Sequence, residues 1–224
     1  VMVTAPLNGA YADLRARKKM FLIWATVGCV VATGLLATVG PGMWWWAALL
    51  LVISNLCYAT HQDMTAAFLP ELARPEALGR VSGYGWAWGY LGGLVALGLS
   101  LVWVAVAQSQ NFDAQALMGG TMIATAALFL VVGWPALHVV RDRAVPLAQA
   151  EHWSLRKWLI ASWGRLIETW QASKSQPDLR RFLLCVVVYH AGVQTVITLA
   201  AVYAQQVMGF SMTQTIVLIL IVNI

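Results

Sequence analysis

Between residue 20 and the end of this chain, apolar runs about twenty residues long follow one another without an internal Asp, Glu, Lys or Arg. A bilayer core of about 30 Å requires roughly 20 such residues for each helix that crosses it. Runs at 20–39, 43–62, 81–107, 115–139 and 182–207, with another opening at 212, each satisfy or begin to satisfy that length. The 224 residues are 60% hydrophobic and 10% charged, against roughly 25% charged in soluble domains. The predicted fold is therefore all-α: a polytopic transmembrane helical bundle with about six visible spans, incomplete because residues 1–8 read as the tail of an earlier helix and the last residues stop inside an apolar run.

The connections between these runs divide sharply by charge. "GPGM" (40–43), "QSQNFDA" (108–114) and "MGFS" (208–211) contain no Lys or Arg. "YADLRARKK" (11–19), "LPELARPEALGR" (69–80) and residues 141–181 hold all 14. Helices that alternate direction place the three basic connections on one side, and basic connections mark the cytoplasmic face. One span missed or invented would put basic loops on both faces, so the charge pattern also checks the helix count. Trp44, Trp45 and Trp46 then fall at the outer interface, where aromatic rings favour headgroup depth.

The net charge of +5 does not indicate nucleic acid, because the bases form no stripe interleaved with aromatics. Cys29, Cys57 and Cys185 lie inside apolar runs without metal-ligand spacing, so they read as packing residues rather than a disulfide, metal or redox site. There is no HExxH, no glycine-rich phosphate loop and no carboxylate pair placed for acid/base work. Enzymatic function and a cofactor are not expected.

Polar groups inside the runs are few: Asn55, His61, Gln62 and Asp63 toward the inner end of the second, and His190 and Gln194 in the fifth. His190 and Gln194 are four residues apart and share a helix face. Asn55, His190 and Gln194 are therefore candidates to line an aqueous cavity for a small-molecule substrate, with an interhelical hydrogen bond as the alternative. His190 is the visible candidate for proton coupling. In "GRVSGYGWAWGYLGGLVALG", Gly85, Gly89 and Gly93 form a stripe with Gly92 beside it, the pattern of closely packed membrane helices. Within 141–181, Leu155, Trp158, Leu159, Leu166, Ile167 and Trp170 recur at helical spacing against Arg156, Lys157 and Glu168. That predicts an amphipathic helix lying on the inner leaflet or packing beneath the bundle.

The stretch "GAYADLRARKK" resembles the loop signature between helices two and three of the major facilitator superfamily, with Gly9, Asp13, Arg17 and Lys18 in register and Ala16 where many members have a second glycine. "AAFLPELARPEALGRVSGYGWAWGYLGG" (66–93) further resembles the vacuole-effluxer branch of that superfamily, the autophagy-related vacuolar amino-acid exporters and their bacterial relatives. The resemblance implies helices three to eight of a carrier with two six-helix halves. Residues 1–140 would belong to the N-terminal half, 141–181 to the central cytoplasmic loop, and 182–224 to the start of the C-terminal half.

The resemblance further implies secondary transport of a small solute by alternating access, with neutral amino acids and efflux favoured by the eukaryotic members. It places the protein in the bacterial plasma membrane with the basic loops cytoplasmic. Asp13 would be a latch acid and Arg17 a bridging base, paired with Asp63 or, as runner-up, Glu71. Arg15, Lys18 and Lys19 are read as setting topology. A non-transporting receptor or scaffold that keeps the carrier fold, and a channel, are the alternatives.

Overall fold

The structure is a computed structural model, and it describes residues 18–140, 142, 155–174 and 176–222. Gly9, Asp13 and Arg17 lie outside the described residues. The described elements are α1 (Lys18–Leu35) with a 3-10 turn at Leu36–Thr38, α2 (Trp44–Leu72), a second 3-10 turn at Pro75–Ala77, and α3 (Leu78–Ser109). They continue with α4 (Ala114–Val139), α5 (Leu155–Lys174), α6 (Pro177–Gln206) and α7 (Met212–Val222). Among the described residues there is no strand. The fold is an all-α membrane helical bundle.

Among the described residues, four segments are both long and apolar enough to cross a membrane: Lys18–Thr38, Pro75–Ser109, Ala114–Val139 and Pro177–Gln206. Helix α2 has 29 residues, about 44 Å at 1.5 Å per residue, so it has the length as well. Its mean hydropathy is drawn down by the tryptophan triplet, Asn55 and the His61–Gln62–Asp63 run. Helix α7 covers 11 residues.

Helix α2 runs ten residues beyond the expected end at 62, because Met64 and Phe68 continue its buried face through the polar run. It stops where Ala73 turns extended and Arg74 adopts φ −69°, ψ 154° ahead of Pro75. The ring disfavours the helical region for the residue before proline, while proline suits a helical first turn. Helix α6 likewise begins at Pro177, five residues before the apolar run, with proline in its first turn.

The three connections without Lys or Arg are tight, and each contains a residue with positive φ: Gly42 (85°), Asn111 (55°) and Gly209 (67°). In the first, Met43 N–H donates to the Gly40 carbonyl at 3.1 Å across Pro41–Gly42, the proline-then-glycine order of a type II turn. In the second, Phe112 N–H donates to Ala107 O and Asn111 N–H to Gln108 O. These are the paired bonds of a Schellman stop with asparagine in the left-handed position. Asp113 then caps α4 by accepting from Ala116 N–H at 3.0 Å, so one helix ends and the next starts within four residues.

The chain divides into two compact units that part between Trp158 and Leu159. In the first, α1 packs along both α2 and α4, and α3 packs on α4. The α1–α2 contact is close: a Cβ added at Gly28 would lie 2.7 Å from Cys57 Sγ. Thr33 and Ser54 share a hydroxyl hydrogen bond of 2.9 Å across the same seam. On the other side of α1, Thr26 is fully buried against Gly133 of α4 and donates to the Leu22 carbonyl. Thr60, Thr121 and Thr125 also donate to carbonyls four residues back, which satisfies their hydroxyls where water is scarce.

The α3–α4 contact depends on Trp103. Its indole N–H donates to Leu117 O at 3.1 Å, and the ring lies over Gly120, where an added Cβ would collide with it. Because α3 packs through this later half, with Val104 and Ala107 buried, its earlier half is largely uncovered by the described residues. The glycine stripe read from sequence as a packing face lies there. A Cβ at Gly85, Gly89, Gly92 or Gly93 would meet nothing within 4 Å among the described residues.

The second unit contains most of α5 together with α6 and α7, which pack on each other. Exposed apolar side chains run the length of α6. Such surface is a liability in water and is what a lipid-facing helix presents.

Candidate functional site

The ends of α1, α2 and α4 that adjoin the basic connections meet around a small apolar cluster. Leu22, Met64 and Phe68 are buried together, with Phe21, Leu137 and Val140 packed against them. The spacing explains the convergence: Lys18 and Leu22 are one turn apart on α1, while Met64, Phe68 and Glu71 follow at intervals of four and three on α2, so each set lies on one face. Apolar members of both faces seal the seam and polar members close its end.

That closure is an ion pair. Lys18 Nζ lies 2.9 Å from Glu71 Oε1, with the two side chains only 11% and 15% exposed. The same ammonium donates to the carbonyl of Ala67 at 3.2 Å. One residue on, Lys19 N–H donates to Asp142 Oδ1 at 3.1 Å. Asp142 thus caps the start of α1 from the chain just beyond α4, 123 residues away in sequence. A carboxylate at a helix N-terminus satisfies an orphan N–H and complements the helix dipole.

Sequence reasoning gave Lys18 and Lys19 a topological role and named Asp63, then Glu71, as the partner of Arg17, which lies outside the described residues. In the structure Lys18 pairs with Glu71, and Asp63 is exposed on α2. The signal for Glu71 was available in the interval of three from Phe68, which puts it on the buried face, whereas Asp63 is one residue off Met64 and turned away. Asp142 had no such signal, since only the fold brings it to α1.

A second polar group lies deeper. The His61 ring meets Phe129 of α4 edge-on, centroids 5.1 Å apart, and Tyr58 approaches the same ring at 6.3 Å. Gln62 donates to the Tyr58 hydroxyl at 3.0 Å. Asn55, a turn and a half further along, is exposed and donates to the Leu51 carbonyl within its own helix. His190 and Gln194 sit exposed on α6 in the second unit, one turn apart on one face as their spacing implies.

A family model described as vacuole effluxer Atg22 like matches residues 1–224. The chain belongs to this family. Among curated proteins it is similar to the uncharacterized MFS-type transporter YxiO of Bacillus subtilis (strain 168), at 22% identity over 224 residues. The match covers 98% of this chain and 50% of the relative, so the chain spans about half that protein's length. No solved structure matches the chain. Family membership and the long apolar helices together make this an integral, multi-pass membrane protein.

Proposed function

We propose that this protein is a secondary carrier that moves a small solute across the membrane by alternating access. The observation that carries the reading, alongside family membership, is the nearly buried Lys18–Glu71 pair at the end of the α1–α2 seam. A buried ion pair contributes little net stability over an apolar contact, yet losing one partner costs about 3–5 kcal/mol. Such a pair discriminates between an arrangement in which both charges meet and one in which they separate, which is what a gate between two states requires. Family membership and the name of the Bacillus relative support transport as the activity.

In this reading the N-terminal half runs through residue 140, the loop at 141–181 joins the halves, and the C-terminal half starts at 182. The basic connections face the cytoplasm, and the membrane is the bacterial plasma membrane. Gly9, Asp13, Arg17, Lys18 and Asp63 belong to a cytoplasmic gate, to which Glu71 is now added. Asn55, His190 and Gln194 serve the substrate cavity, and His190 is the group through which transport couples to protons. Neutral amino acids are the solute class, exported rather than taken up.

The test is counterflow in proteoliposomes holding the full-length carrier and loaded with neutral amino acids. Saturable exchange that E71Q alters while the protein remains inserted supports a carrier. Single-channel currents would instead indicate a channel, and absence of flux for any solute class would indicate a receptor or scaffold.

A further inference from the structure

Helix α5 (Leu155–Lys174) is not among the helices apolar enough to cross a bilayer, yet it carries a well-defined apolar side. Ile160, Trp163 and Ile167 are 62%, 59% and 44% exposed, and spacings of three and four put them on one face. Lys157 and Glu168 lie about 120° and 140° around the helix from Trp163. The helix sequence holds four bases, Arg156, Lys157, Arg165 and Lys174, against the single acid Glu168.

Connectivity limits where this helix can lie. Ser175 and Gln176 alone separate it from Pro177, and the three steps from Lys174 to Pro177 reach at most about 11 Å. Helix α6 opens on a charged turn with Asp178, Arg180 and Arg181 and carries no charged residue from Phe182 onward apart from the ionisable His190. The Arg181–Asp178 pair there is 3.8 Å and exposed. The end of α5 is therefore held at the level where α6 passes from water into hydrocarbon. A helix at that depth, apolar on one side and net positive, matches the geometry of an interfacial helix, and its charge complements anionic headgroups.

We propose that α5 is a binding surface for anionic lipid: Ile160, Trp163 and Ile167 enter the headgroup–acyl boundary while Lys157 and Lys174 engage phosphate. The long stem of Lys174, at the last turn, lets its ammonium reach the headgroups from the apolar side. This rests on the chain being a multi-pass membrane protein and is independent of what, if anything, it transports.

The test uses the full-length carrier in nanodiscs, with its native cysteines replaced by alanine and a polarity-sensitive fluorophore placed by Trp163→Cys or, separately, Ile160→Cys. Ala172→Cys, half a turn around from Trp163, is the control. In discs of phosphatidylcholine mixed with phosphatidylglycerol, labels at 163 and 160 should be quenched by a boundary-depth lipid quencher and the label at 172 should not. Omitting phosphatidylglycerol, raising salt, or introducing K157E with K174E should reduce the quenched fraction, with the docked ratio falling about fivefold per base lost. Equal quenching in both lipid compositions overturns the anionic preference. Labels shielded from quencher and water alike mean that α5 packs under the bundle, and labels in water mean that it does not dock. Either outcome overturns the proposal.

Discussion

Lys18 and Glu71, 53 residues apart in sequence, meet at 2.9 Å and close the end of the seam between α1 and α2. Beneath them, Leu22, Met64 and Phe68 exclude water, so the pair operates where charges interact more strongly than at a surface. The first prediction follows from that burial.

Glu71→Gln should destabilise the first unit by up to about 3 kcal/mol, because Lys18 keeps its charge and loses the charge of Glu71 opposite it. Lys18→Met combined with Glu71→Gln should recover most of the loss. Thermal unfolding of the single and double variants in detergent measures the coupling. Additive losses would mean that the two residues act separately.

Asp142→Ala should cost about 1 kcal/mol, the usual value of a helix N-cap, since Lys19 N–H loses its acceptor. Asp142→Asn retains an acceptor oxygen and should cost less. Hydrogen exchange at the first turn of α1 would report the change locally, with faster exchange expected in the alanine variant.

Gly120→Val should be among the most damaging single changes in the first unit. Its side chain would occupy the space of the Trp103 ring, and overpacking of this kind costs about 1–3 kcal/mol. Trp103→Leu should partly rescue it by vacating that space, at the loss of the bond to Leu117 O. Melting temperatures of the single and double variants decide the matter.

Gly89→Ala should leave the packing of the first unit intact and favour helix α3 by up to about 1 kcal/mol, because nothing described stands over that position. A lowered melting temperature in the complete carrier would mean that another helix sits on the stripe.

Asp13→Asn should impair transport while the protein still inserts and folds, if the loop signature works as a latch. Counterflow and size-exclusion profiles measured on the same preparation separate the two effects. Normal transport by this variant would remove Asp13 from the gate.

Much of the bundle was legible in the sequence because hydrophobic length is a local property. The apolar runs at 115–139 and 182–207 needed only counting, and α4 and α6 occupy them. Where boundaries moved, short-range chemistry was the reason: Pro75 and Pro177 start helical turns ahead of the apolar runs, and the buried face of Met64 and Phe68 extends α2. The site was less legible. Charge alone does not tell that Glu71 is nearly buried and Asp63 exposed. Spacing relative to Phe68 does, once it is known that Phe68 is buried.

The apolar spans of the described helices, the neutral and basic character of their connections, and the positive-φ stops at Gly42 and Asn111 follow from the sequence itself, since each depends on residues within a few positions. The pairing of Lys18 with Glu71, the capping of Lys19 by Asp142 and the seating of Trp103 on Gly120 depend on the register in which separate helices meet. That register is set by how knobs such as Phe68 and gaps such as Gly28 and Gly133 fit across helix faces. Fit of that kind belongs to pairs of helices and is absent from any one of them, so only the tertiary structure decides it.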